Sequence, residues 1–157
     1  MKTLVLGLGN ELFGDDGIGI HIIRKLKKEK DDLFSNIDLS ESSISGLALL
    51  DVIAEYDRLI VIDTIKKIKP QTGKIRVFDL HELRHVPGPS PHYVSFPQII
   101  TLGKKWGLKM PSLIKIIAIE AKNIYKLGEE LSPEIKDVIP KVIEKVREIL
   151  YYWERND

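Results

Sequence analysis

Two runs of apolar residues constrain this chain more than any other feature. RLIVID at 58–63 and LIKIIAI at 113–119 are apolar at nearly every position rather than at alternate ones. A strand with one wet face alternates, whereas a strand apolar on both sides has to be covered on both sides. Both runs therefore predict buried strands, with RLIVID at the centre of its sheet. Thr3–Leu6 is a shorter apolar run ending in glycine and reads as the first strand. Ile37–Leu39 is a weaker second strand. Lys74–Leu80 alternates, which places a strand nearer an edge.

Helical spacing fills the gaps between these strands. Asp16–Glu29 carries a stripe of Ile18, Ile22, Ile23 and Leu26. Residues 47–55 predict a second helix with Leu47, Leu50, Val52 and Ile53 facing the core, and 95–106 a third. Ser132-Pro133-Glu134 starts the last one, with serine as N-cap and proline in the first helical position. It runs to about Trp153, and Pro140 is expected to kink or restart it. Strands alternating with helices predict an α/β layered domain with a mostly parallel sheet. The 157 residues suit one domain, 1–157.

Composition narrows the chemistry. With 24 basic and 23 acidic residues the net charge is +1, so no global field draws the chain to nucleic acid or a membrane. There is no cysteine. That excludes a thiol nucleophile, a protein-held iron–sulfur cluster and a disulfide framework, and it fits a cytoplasmic location. No apolar stretch approaches the ~20 residues of a membrane span. MKTLVLGLGN reads as a strand rather than a signal peptide. GxSxG and HExxH motifs are both missing.

Residues 7–19, GLGNELFGDDGIG, crowd five glycines around the adjacent carboxylates Asp15 and Asp16. The dinucleotide fingerprint fails, because Leu12 stands where its third glycine belongs and two negative charges occupy the anion position. One aspartate suffices to cap the first helix. A second reading is a cation site. Asp16 follows the first strand, Asp63 closes RLIVID, and His92 lies in the proline-rich loop HVPGPSPH at 85–92. Ligands of open parallel sheets bind at the carboxyl ends of the strands. If the strands share one direction, or that loop folds back, the three meet on one rim. Two carboxylates and an imidazole suit a borderline divalent metal. His21, His81 and His85 lie near charged residues and read as solvent-facing.

LVLGLGNELFGDDGIGIHII resembles the start of the hydrogenase maturation proteases, and four more segments match in order: ESSISG at 41–46, LIVIDT at 59–64, SPHYVSF at 90–96 and IAIEAKNIYKLGEELSPEI at 117–135. The resemblance covers nearly the whole chain. It implies a three-layer fold, a twisted and mostly parallel sheet with helices on both faces. It also implies a peptide hydrolase of the aspartic type, which removes the C-terminal extension of a nickel–iron hydrogenase large-subunit precursor after nickel insertion. Asp16, Asp63 and His92 match the positions that contact nickel, which the substrate supplies rather than the protease holding it permanently. Asp38 or Glu41 occupies the family's second-strand acid region. Some members have Glu at position 16, and the shorter Asp sets its oxygen about 1.5 Å nearer the backbone. Ser42–Ser43 and Phe96–Pro97 also depart from the pattern.

The mechanism implied needs no protein nucleophile. Water attacks the scissile carbonyl, activated by the metal or by a carboxylate, with Asp16 the first choice of base. Two alternatives differ in kind. Peptidyl-tRNA hydrolases also begin with a strand and GLGN, but they continue with Pro-Gly where this chain has Glu11–Leu12. A non-catalytic metal chaperone or docking module would use the same fold without cutting.

Overall fold

The computed structural model describes residues 1–67, 69–85, 96–128 and 130–156. Among these are five strands: β1 Thr3–Leu8, β2 Ile37–Ser42, β3 Arg58–Ile65, β4 Ile75–Asp79 and β5 Leu113–Glu120. They form one sheet in the order β2-β1-β3-β5-β4. β1 pairs parallel with β2 and β3, and β3 parallel with β5, while β4 runs antiparallel to β5. The helices are α1 Ile18–Leu26, α2 Leu50–Ile53, α3 Phe96–Lys105 and α4 Pro133–Arg155.

The apolar runs do what their pattern requires. All eight residues of β3 are buried. Because successive side chains point to opposite faces, Ile60 and Ile62 pack with α1 and α4, whereas Leu59 and Val61 pack with α2 and α3. β5 divides likewise, Ile117 and Ile119 on one face and Ile116 and Ala118 on the other. This is the expected three-layer α/β arrangement with helices on both faces.

Several local expectations are revised. α1 begins at Ile18, after a 3-10 turn over Gly14–Gly17. Its N-cap position is Gly17, without a side-chain cap bond, so neither aspartate caps it. Leu47 is 54% exposed rather than core-facing, since residues 46–49 form a 3-10 turn and only Leu50–Ile53 is α-helical. α4 runs continuously through Pro140 and does not restart. The lost backbone bond is offset by a buried stripe of Ile135, Val138, Val142, Ile143, Val146 and Leu150 on either side of it.

The strand order creates the feature that positions the site. The chain leaves β1 for β2 on one side, and β3 lies on the other. In open α/β sheets a ligand crevice forms outside the carboxyl ends at such a reversal. Here it lies between β1 and β3.

Candidate active site

The loop after β1 reaches this crevice because glycine allows two backbones to touch. A Cβ on Gly9, which sits at φ +148, would stand 1.9 Å from the Asp16 carbonyl oxygen. A Cβ on Gly19 would stand 2.6 and 2.7 Å from the carbonyl oxygens of Leu8 and Ile62. Neither site has room for another side chain. α1 therefore lies directly against β1 and β3, and Asp16 is delivered at the junction.

Asp16 is half-buried, and its two carboxylate oxygens have separate tasks. Oδ2 accepts the Asn10 backbone N–H at 2.9 Å, which closes the loop on itself. Oδ1 accepts the Thr64 hydroxyl at 2.7 Å, which joins the loop to β3. Both donors are neutral, and each oxygen keeps a second lone pair. Asp63, the residue before Thr64, accepts the Thr64 backbone N–H at 2.7 Å and is fully buried. It does not close its strand. β3 runs two residues further because Asp63, Thr64 and Ile65 pair with Ala118, Ile119 and Glu120 of β5. The β1 pairing stops earlier, at Gly7–Ile62. Asp63 thus occupies the position at which β1 has peeled away.

His92 lies outside the described residues. The condition that β4 share the direction of β1 and β3 is not met. Asp79 is level with Lys115, and through it with Ile60, so β4 runs away from the carboxyl rim. Lys104, near the end of α3, lines a cavity of about 300 Å³ with Ser112 and Leu113 at the start of β5. The end of α3 therefore lies by the rim at which β5 begins. Among the described residues no three His, Asp or Glu side chains converge as a metal-holding group.

Two buried carboxylates beside this site have partners that sequence reasoning did not assign. Asp15 is 1% exposed and accepts both the backbone N–H and the hydroxyl of Ser132, at 2.6 and 2.9 Å. Ser132 occupies the N-cap position of α4, but its hydroxyl donates to Asp15 instead of capping. Gly14 N–H donates to the Gly128 carbonyl at 2.6 Å, and Gly128 N–H to the Leu12 carbonyl at 2.9 Å. The loop is thereby clasped to Gly128 and Ser132. Glu120, also 1% exposed, ends β5 and accepts from Lys67, Arg76 and the Gln71 N–H. Burial pushes its pKa up, but these three donors outweigh that and hold it below the ordinary carboxylate value.

Arg24, on α1, joins Glu11 of the loop at 2.7 Å to Glu41 of β2 at 3.0 Å. Of the two second-strand acids, Glu41 is therefore on the site's rim, while Asp38 takes the Tyr56 hydroxyl near the other end of the sheet. His21 is half-buried rather than solvent-facing, and its Nε2 has no hydrogen-bond partner among the described residues.

The fold is that of the hydrogenase maturation endopeptidases. The solved hydrogenase maturating endopeptidase HybD of Escherichia coli superposes with a TM-score of 0.81 at 24% identity, covering 97% of this chain and 93% of that one. The [NiFe] hydrogenase maturation protease HybD of Thermococcus kodakarensis gives 0.72 at 27% identity, covering 96% and 99%. Hydrogenase 2 maturation protease of E. coli strain K12 is 26% identical over 152 residues, 93% of this chain and 88% of that protein. The hydrogenase maturation protease family model matches residues 20–149. The chain belongs to the hydrogenase maturation protease family, a family of endopeptidases.

Proposed function

We propose that this protease removes the C-terminal extension of a nickel–iron hydrogenase large-subunit precursor once nickel is in place. Asp16, Asp63 and His92 would contact the nickel the substrate carries. The observation that supports this most is the 2.7 Å bond from Thr64 to Asp16, which sets one carboxylate beside the strand position of the other, at the switch point of the sheet. Asp16 has no cationic partner among the described residues, so its charge is available to a cation brought by the substrate. His92 stands shortly before α3 in the sequence, at the end of the proline-rich loop. The nickel belongs to the substrate, and its contribution is to place the scissile bond and polarise it.

In this reading a water held by Asp16 attacks the scissile carbonyl carbon. Its proton passes to the Asp16 carboxylate, the C–N bond breaks, and the proton goes on to the departing amine. The description aspartic-type endopeptidase rests on this role. A precursor without nickel lacks the cation and is cut poorly, so the enzyme acts as a checkpoint on metal insertion. We place the reaction in the cytoplasm, where a chain without cysteine is at no disadvantage. Among the described residues no helix is long and apolar enough to cross a membrane.

The test is to mix the protein with such a precursor, with and without nickel, and record the intact mass of the precursor. Truncation only of the nickel-loaded form is expected. Truncation of both forms would discard the nickel contact and keep the protease. Binding of a loaded precursor without truncation would favour a metal chaperone or docking module.

A further inference from the structure

The clasp that fixes the Asp16 loop also builds a surface outside it. Phe13 and Gly128 form a parallel bridge, flanked by the Gly128-to-Leu12 and Gly14-to-Gly128 bonds. The bridge sets Leu12 and Leu127 at neighbouring positions on the two segments. Both point into solvent: Leu12 is 53% exposed and Leu127 77%, and Tyr125, two residues earlier, is 62% exposed. A lone exposed leucine is ordinary, but large apolar side chains grouped beside a functional site mark an interaction surface. The backbone beneath them is tied down by Ser132 and Asp15, so the patch is presented on a fixed support and little ordering is lost on binding.

The charges around the patch select its partner. The Lys66 ammonium stands 4.8 Å from the centre of the Tyr125 ring. Lys69, Lys122 and Lys126 are exposed nearby in sequence, and none of these four lysines is in an ion pair among the described residues. Lys67 is already held by Glu120, and Glu130 is the one described acid of 122–130. A patch with Lys66 on Tyr125 and Lys126 next to Leu127, neither paired with a described acid, fits an apolar polypeptide segment that carries acidic side chains. It fits a basic one poorly.

We infer that Leu12, Tyr125 and Leu127, with Lys66 and Lys126, form a docking surface for an acidic and apolar segment of the precursor, beside Asp16. This rests on the proposed function for the partner's identity, and its test reads binding rather than cleavage. Fluorescently labelled hydrogenase large-subunit precursor is titrated with the full chain, and Kd is read by anisotropy. Leu12→Ser with Leu127→Ser is expected to weaken Kd about tenfold or more. Both side chains are exposed, so the melting temperature stays at the wild-type value. Leu127→Ser alone, at the most exposed of the three, shifts Kd in the same direction. Lys66→Glu with Lys126→Glu weakens it and flattens its dependence on salt.

An unchanged Kd in the leucine variants overturns the docking surface, whatever the wild type cuts. Tighter binding by the lysine reversals overturns the acidic partner. Wild-type binding that the leucine variants lose, with no truncation of the bound precursor, keeps the surface and removes the proteolytic reading. No binding by the wild type removes both.

Discussion

At the end of the sheet where β1 and β3 begin, carboxylates meet cations. Asp57 accepts the Lys2 backbone N–H and pairs with Lys109 at 2.9 Å, and that ammonium holds its pKa below the ordinary value. Asp38 accepts the Tyr56 hydroxyl, with Lys2 at 3.9 Å. At the opposite end, the partners of Asp15 and Asp16 among the described residues are backbone N–H groups and hydroxyls. Neutral dipoles orient a carboxylate without cancelling its charge. The first rim spends its acids on exposed pairs, each of which contributes little. The second holds Asp16 oriented with no described cation against it, as the proposed contact with a substrate cation requires. Glu120 shows that position on the sheet is not enough. It lies on the same rim, but Lys67 and Arg76 have taken its charge, and it ties Lys67, Gln71 and Arg76 to the end of β5.

This contrast can be broken at four places. Asp16→Asn keeps an oxygen for Thr64 and loses the charge. Processing of nickel-loaded precursor, followed by intact mass, is expected to fall at least about 100-fold, with the unfolding transition still cooperative. Loss of that transition would make Asp16 structural, and the two rims would then not differ in kind. Asp15→Ala strands the Ser132 N–H and removes two bonds to a charged acceptor. It is expected to cost about 3 kcal/mol, a fall of roughly 9 °C in melting temperature for a chain of this size. A shift near zero in calorimetry would show that the clasp does not hold the loop.

Glu120→Gln is expected to cost about 2 kcal/mol at neutral pH, since its cationic partners remain partly solvated. The sign of its pH dependence follows from the depressed folded-state pKa. The stabilisation is present above the unfolded carboxylate value and is lost as pH falls through the folded one. Denaturant titrations between about pH 6 and pH 3 should therefore show a shallower acid loss in the variant. Equal slopes would mean that Glu120 does not contribute through its charge. Lys109→Ala, on the cation-paired rim, is expected to stay within about 1 kcal/mol of wild type. A larger loss would erase the distinction between the rims.

Much of the fold was legible along the chain. RLIVID and LIKIIAI are buried strands, Lys74–Leu80 contains an edge strand, and the stripe from Ile135 to Trp153 is a buried helix face. The crowding of glycines at 7–19 was visible in the sequence, and the structure places Gly9 against Asp16 and Gly19 against Leu8 and Ile62. Less legible were features set by partners distant in the chain. Asp15 and Ser132 are 117 residues apart, and nothing local distinguishes this aspartate from a helix cap. Glu120 reads as an ordinary strand end until Lys67, Gln71 and Arg76 are folded around it. Leu47 fits a helical stripe, yet a 3-10 turn rotates it outward.

The sequence by itself determined the layered class, the two central strands, the glycine-lined loop and the residue types available to a cation, because these follow from periodicity and local sterics. Only the tertiary structure decided which rim they share. Strand order, the antiparallel sense of β4 and the switch point between β1 and β3 depend on which backbones pair. That choice is made by packing across the whole sheet, where each strand competes for neighbours far along the chain.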